Sequence, residues 1–357
     1  QTSEGLDSLQ RAVPVSRNGG LSCNEVWTVQ VGRLPVRTGY RSDGPIGNCP
    51  LCMKGACRTV GEIDLRDVVS ALEAKFAATA SEGVSRYSQL GPVSLCVCRQ
   101  CGLHFFTPQI VGDVEFYRFL VDCDAFNDLT WDHMFALRLV DSSCRLLDIG
   151  SGRGAFATAA RGIGAEVYSL EYGDGNSRVH IPVDERQLVA DVSHSGWSQP
   201  VQVSVGGDLD MVTAFQVLEH LPHPVEFLDE LAGLVGPGGR IVVSVPNRKR
   251  FSSDRAEPLD CPPHHQTRWG VRQLRYLGSQ VGLDVELIRT QKMKVLREPS
   301  LVQSKPSNRD GVPSRRHLYM LARRLFGTDE SWPLPWPATF MPWHIFLGHS
   351  IVVVYRK

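Results

Sequence analysis

The stretch LLDIGSGRGAF, Leu146 to Phe156, decides the fold. Its leading residues, with Arg145, form the short apolar run of a buried strand, RLLDIG. Gly150, Gly152 and Gly154 follow at once, and AFATAARGIG then has the composition of a helix. Glycines placed directly after a buried strand let a ligand approach the main chain, and the next helix offers unsatisfied N–H groups. The turn also satisfies the dinucleotide pattern G-x-G-x-x-G/A, with Glu171 downstream at a distance suited to a ribose, so spacing alone leaves NAD open.

Asp148 separates the alternatives. An acid two residues before the first glycine would lie beside the pyrophosphate of a dinucleotide, where like charges repel. Beside a cation it is favourable. S-adenosylmethionine carries a sulfonium and an α-ammonium group, so an acid next to an open glycine turn suits it.

Outward from this turn, strand and helix patterns alternate. AEVYSLE reads as a second strand, DMVTAFQ and RIVVSVPN as two more, and HPVEFLDELAGLVGPGG as a helix with Pro224 near its start and Gly236 just past its end. WGVRQLRYLGSQVG predicts another helix, DVELIRT a strand, and HSIVVVYRK a last strand. The fold class expected is α/β: a Rossmann-like, doubly wound, mostly parallel seven-stranded sheet with a small N-terminal zinc-binding domain. The chain divides into an N-terminal extension (1–45), a zinc-ribbon-like module (46–110), a helical linker (111–140) and the large domain (141–357), with a Pro- and Trp-rich insertion at about 294–346. That insertion contains one basic amphipathic pattern, RRHLYMLARRLF, read as packing an apolar stripe on the body.

The large domain resembles the class I S-adenosylmethionine-dependent methyltransferases. The matching pieces are LLDIGSGRGAF, the acid-ended strand VYSLE, the segment LVADV, DMVTAFQVLEHLPHP and GPGGRIVVSVPN. The resemblance implies that Asp148, Gly150, Ser151, Gly152 and Gly154 wrap the methionine part of the cofactor, and that Glu171 binds the ribose with Tyr172 against the adenine. It further implies that Asp191, with Val192, contacts the adenine, and that Phe215 and Gln216 line the pocket where the fourth strand ends.

Two Cys-x-x-Cys turns, Cys49/Cys52 and Cys98/Cys101, bracket a stretch whose Leu65, Val68, Val69, Leu72 and Phe76 follow helical spacing. Four thiolates in two such turns close a tetrahedron around zinc, with no position left for water, which makes the site structural. Cys57 and Cys96 are possible substitute ligands. A zinc ribbon ahead of this domain resembles bacterial enzymes that modify sugars or other small metabolites.

Methyl transfer is an in-line displacement, so the protein contributes positioning and acceptor deprotonation. Histidine suits proton removal near neutral pH. His265 is the first candidate for general base, followed by His264 and by His220 with its neighbour Glu219. In the similar small-RNA 2′-O-methyltransferases two glutamates and two histidines hold a divalent metal. Glu219, His220 and the spacing from His265 to Trp269 match that pattern, but Gln216 stands where the first glutamate would be, and a neutral amide holds a hard cation less well. His223 and His349 read as surface or structural residues.

Composition narrows the rest. The chain has 357 residues, 42% hydrophobic and 21% charged, with Lys plus Arg equal to Asp plus Glu at 38 each. No global field draws it to nucleic acid or an anionic bilayer. The polar start and the lack of a long apolar run predict a cytoplasmic protein with no transmembrane segment. The function expected is methyl transfer to an oxygen or carbon of a sugar or other small-molecule acceptor. RNA ribose methylation is the second reading, and a non-catalytic cofactor-binding scaffold recruited through the zinc module the third.

Overall fold

A computed structural model describes residues 48–123, 129–172, 186–250, 257–292 and 347–357. The N-terminal extension, the insertion and its basic helix lie outside the described residues.

The described chain begins with strand β1 (Cys57–Asp64), helix α1 (Leu65–Phe76), a short helix α2 (Glu82–Ser85), and strands β2 (Pro92–Cys98) and β3 (His104–Thr107). Asp64 caps α1 by accepting from the Arg66 amide at 2.8 Å. Leu65, Val68, Val69 and Leu72 of α1 are buried, the face expected from their spacing. Helices α3 (Val114–Asp122) and α4 (Trp131–Ala136) connect to the large sheet. Asp113 caps α3, and Thr130 with His133 forms a capping box on α4.

The second part runs β4 (Arg145–Ile149), α5 (Ala155–Ile163), β5 (Glu166–Tyr172), β6 (Gln187–Ala190), α6 (Ser198–Val205), β7 (Leu209–Phe215), α7 (Pro224–Leu234) and β8 (Val235–Pro246). It continues with β9 (Thr267–Arg268), α8 (Val271–Gln280), β10 (Asp284–Lys292) and β11 (Leu347–Arg356). The seven-stranded sheet has the order β10-β11-β8-β7-β4-β5-β6. β4 through β8 pair in parallel, whereas β11 is antiparallel to both of its neighbours. Helices cover both faces. Leu228, Leu231, Leu274 and Leu277 of α7 and α8 pack on one side, and Phe156, Ala157 and Ala160 of α5 on the other. Each such leucine, fully buried, contributes about 1.5–3 kcal/mol.

Three local features depart from the sequence reading or lie outside it. Gly236 does not cap α7, because Val235 already turns extended and β8 begins there, placing the glycine inside the strand. The segment Ser198–Val205 forms a helix that lacks a clear apolar period in sequence, with Pro200 accommodated in its first turn. The third concerns β9, which pairs antiparallel with β3, so the smaller sheet, β1-β2-β3-β9, takes a strand from the far half of the chain. Gln273 of α8 also donates to the Cys101 carbonyl at 2.8 Å. Among the described residues no helix is long and apolar enough to cross a membrane.

Candidate functional site

The order of the large sheet reverses at β4, which has β5 on one side and β7 on the other. Ligands of open α/β sheets bind at such a point, beyond the strand ends. A cavity of 660 Å³ lies there. Asp148, Gly150, Ser151, Gly152, Glu171, Tyr172, Asp191, Val192, Phe215 and Gln216 line it, as do Glu219, His220, His264 and His265. Gly154 stands apart from the wall and caps α5 in a left-handed conformation, φ 74°.

The glycine turn is bent as its residue types require. Gly150 and Gly152 have φ of 67° and 56°. A Cβ on Gly150 would meet Val217 Cγ2 at 2.6 Å, so glycine is needed there for space as well as for conformation. Glu171, at the end of β5, accepts from the Gly152 amide at 2.6 Å and from its neighbour Tyr172 at 3.0 Å. Asp148 is 2% exposed and accepts from Thr213 Oγ1 of β7 at 2.7 Å. Burial pushes its carboxyl up to about 7, the Thr213 hydrogen bond opposes that, and Glu171 adds to it. Asp191 folds back on Ser193, accepting from its amide at 2.9 Å and its hydroxyl at 2.6 Å.

Three histidines that line the same cavity cluster together, with ring centroids 4.4–4.9 Å apart. His265 Nδ1 is 3.5 Å from Asp260 Oδ1, and its Nε2 is 3.9 Å from Glu219 Oε1. Arg250 pairs with the same Asp260. Although burial alone would raise it, the His265 hydrogen bond and the Arg250 charge hold Asp260 well below the carboxylate range. Burial lowers His265, so it is neutral near pH 7 with Asp260 positioned to fix the Nδ1–H tautomer. His264 Nδ1 faces the Leu259 carbonyl at 2.9 Å, and burial holds this ring well below its ordinary value. Glu219 is 1% exposed, its oxygens lack hydrogen-bond partners, and burial raises it well above the ordinary glutamate value.

His220 is braced between two backbone carbonyls: Nδ1 faces His264 O at 2.8 Å and Nε2 faces Gln216 O at 2.7 Å. Burial holds this ring down to about 3, so it is neutral and its single N–H donates to one of the two carbonyls. Gln216 donates its amide to Asp132 at 3.1 Å and Ser244 at 3.1 Å. Ligand atoms of His220, His264 and His265 lie within 4.8 Å of one another. Glu219 Oε1 lies 4.0 Å from His220 Nε2 and 3.9 Å from His265 Nε2, whereas Gln216, standing where the first glutamate would be, is turned to Asp132.

Sequence reasoning missed several residues of this cavity. Asp132 and Tyr117 come from the connecting helices, Lys75 from α1, and Asp260 from the short turn before the histidines. His349, read as a surface or structural residue, is exposed and also borders the cavity. Because β11 runs antiparallel, its first residues arrive at the end where the parallel strands finish, a consequence visible only in the topology.

The four predicted zinc ligands also converge. Cys49 and Cys101 sulfurs are 3.5 Å apart, as are those of Cys52 and Cys98, and all four lie within 4.8 Å of one another. A tetrahedral zinc site with Zn–S of ~2.3 Å has sulfur–sulfur edges of about 3.8 Å, so the quartet fits the ion. Against the burial that would raise it, the Cys101 and Gln100 amides draw Cys98 down to about 7, while burial pushes Cys57, outside the quartet, up to about 12.

The family described as "Methyltransferase domain" matches residues 125–288, the span that builds the glycine turn and the histidine cluster. Those residues are a class I S-adenosylmethionine-dependent methyltransferase domain. Among curated proteins, this methyltransferase domain is similar to a ubiquinone biosynthesis O-methyltransferase of Ruegeria pomeroyi, 29% identical over 178 residues, covering 49% of this chain and 62% of that protein. A protein of the same description from Roseobacter denitrificans is 30% identical over 178 residues, with 49% and 62% covered. The chain thus spans less than two thirds of these relatives' length. A solved S-adenosylmethionine-dependent methyltransferase from Archaeoglobus fulgidus aligns with a TM-score of 0.42 at 17% identity, covering 67% of this chain and 94% of that one.

Proposed function

We propose that the protein transfers a methyl group from S-adenosylmethionine to a hydroxyl oxygen of a small-molecule acceptor. The observation that carries this reading is the paired character of one cavity. A glycine turn with two buried acids, Asp148 and Glu171, and the Asp260–His265 pair line the same space. Asp148 favours the cationic end of the donor, Glu171 the ribose hydroxyls, and Asp191 the adenine. The donor supplies an electrophilic methyl. His265, oriented by Asp260, accepts the acceptor's hydroxyl proton on Nε2 as the oxygen–carbon bond forms and the sulfur–carbon bond breaks. The products are the methyl ether, S-adenosylhomocysteine and a protonated His265. The relatives named for O-methylation support oxygen as the atom methylated. A structural zinc on Cys49, Cys52, Cys98 and Cys101 holds the small sheet in register.

Calorimetry with S-adenosylmethionine tests the donor half: binding by the full chain and its loss in Asp148→Ala are expected, and a wild type with no affinity sinks the reading. The zinc is tested by metal analysis, where the expected content is one ion per chain and a content near zero in intact protein contradicts it.

A further inference from the structure

Next to the large cavity, Arg248, Arg250 and Arg268 converge on a second recess, of 20 Å³. It shares Pro246, Arg250, Asp260 and His265 with the larger one. Arg250 is ion-paired with Asp260. Among the described residues neither Arg248 nor Arg268 has a carboxylate at ion-pairing distance. Arg248 Nη1 donates to His104 Nε2 at 3.0 Å. Arg268 donates to the Asp260 carbonyl at 3.1 Å, and its guanidinium lies over the Phe106 ring, 5.1 Å from the centroid. Yet the Nε atoms of both arginines are buried and have no hydrogen-bond partner. A buried charged donor left unmatched is costly, and native structures rarely keep one without a protein, water or ligand partner.

The charge and shape of the recess indicate what that ligand is. Asp260 lines the recess but is ion-paired with Arg250, which leaves Arg248 and Arg268 with no ion pair of their own among the described residues; two such guanidiniums favour an anion, and their planar forks suit the oxygens of a phosphoryl group. His104 reinforces this: burial, with Arg248, Arg268 and Arg58 nearby, holds it down to about 3, so it stays neutral and accepts from Arg248 without competing for the anion. The volume admits an oxygen or two, since a water needs roughly 10–15 Å³. The body of such a ligand therefore lies outside the recess.

We propose that the recess is a phosphoryl subsite for the methyl acceptor. The acceptor carries a phosphate or diphosphate whose oxygens are taken by Arg248 and Arg268, which places its reactive hydroxyl beside His265. This rests on the reading of the larger cavity as the acceptor site.

The test is calorimetry on the full chain at fixed salt, with pyrophosphate, inorganic phosphate and acetate as probes and S-adenosylmethionine measured in parallel. Pyrophosphate is expected to bind wild type and the exposed-site control Arg99→Gln alike, at least tenfold more tightly than acetate. Arg248→Gln and Arg268→Gln are each expected to weaken it at least tenfold, with donor affinity unchanged, and Arg248→Lys to recover part of the loss. Should Arg268→Gln fail to fold without its Phe106 contact, the two Arg248 variants carry the comparison. Equal pyrophosphate affinity in wild type and Arg248→Gln overturns the subsite, as does acetate binding as tightly as pyrophosphate. A wild type that binds S-adenosylmethionine but no pyrophosphate also overturns it. A wild type that binds pyrophosphate with these variant effects but not the donor retains the anion subsite and overturns the methyl-transfer reading instead.

Discussion

Glu171 fastens the glycine turn from the neighbouring strand: its Oε2 accepts the Gly152 amide at 2.6 Å, joining the end of β5 to the loop that leaves β4. The carboxylate thus preorganises the turn in addition to any contact with a ribose. A charge-assisted hydrogen bond of this kind is worth about 1.5–3 kcal/mol. Glu171→Gln is therefore expected to weaken S-adenosylmethionine binding roughly 10- to 100-fold in calorimetry. An unchanged dissociation constant would show that the loop holds its shape unaided.

Gly150 and Gly152 differ in what surrounds them, which separates conformation from space. Gly152→Ala meets nothing within 4 Å, so the left-handed backbone is its main cost, about 1–2 kcal/mol. Gly150→Ala adds a clash with Val217 Cγ2. It is expected to lower the melting temperature more than Gly152→Ala, and Gly150→Ala with Val217→Ala to recover part of the difference. Equal melting temperatures for the two single variants would contradict this.

Asp148 ties stability and donor binding to pH in opposite directions. Its ordinary value of 3.8 is raised to about 7 by burial. The folded state therefore holds the proton more tightly than the unfolded chain, and this contribution to stability is full below 3.8 and lost as pH rises through about 7. A cationic donor prefers the ionised acid, so its affinity should rise over the same window. Donor titrations across neutrality check this, and Asp148→Asn should flatten the profile. A wild-type affinity independent of pH would argue against an ionised Asp148 beside the donor.

His265 and Asp260 should affect turnover without affecting the donor. His265→Ala is expected to lower kcat by about 10²–10⁴. Asp260→Asn should give a smaller loss, because the ring remains but its tautomer is no longer fixed. Donor affinity measured in parallel should match wild type for His265→Ala. Full turnover by that variant would transfer the role to another group in the cavity.

Gln216 is matched to Asp132, which burial would raise but hydrogen bonds from Ser244 and Thr130 hold down. Gln216→Glu sets a second carboxylate against it, where like charges cannot both ionise at low cost. A lower melting temperature is expected, with recovery in Gln216→Glu combined with Asp132→Asn. If the single variant melts like wild type, the amide contributes nothing through its contact with Asp132.

The glycine turn, the parallel strands and α1 were legible because each writes its period or its bare backbone into a short window of sequence. RLLDIG and GSGRG carry their meaning locally, and so do the two Cys-x-x-Cys turns. Asp260 and Asp132 carry none, since an acid in a turn or at a helix start has the same local signature as any capping or solvated acid. Their roles arise from partners 5 or more residues away, such as His265, or 84 away, as for Gln216. β9 has two residues, too few for any alternation to register, and His349 depends on the direction of a strand that pattern reading does not assign.

That two-residue strand bears on how the molecule can be taken apart. Thr267 and Arg268 follow His264 and His265 with only Gln266 between, and they complete the cysteine-bearing sheet. Deleting everything before residue 110 would strip the partner from β9 and free the segment that presents the proposed base. The cysteine-bearing sheet is accordingly bound to the segment that carries the candidate histidines, and grafting it onto another methyltransferase would require its matching strand to travel with it.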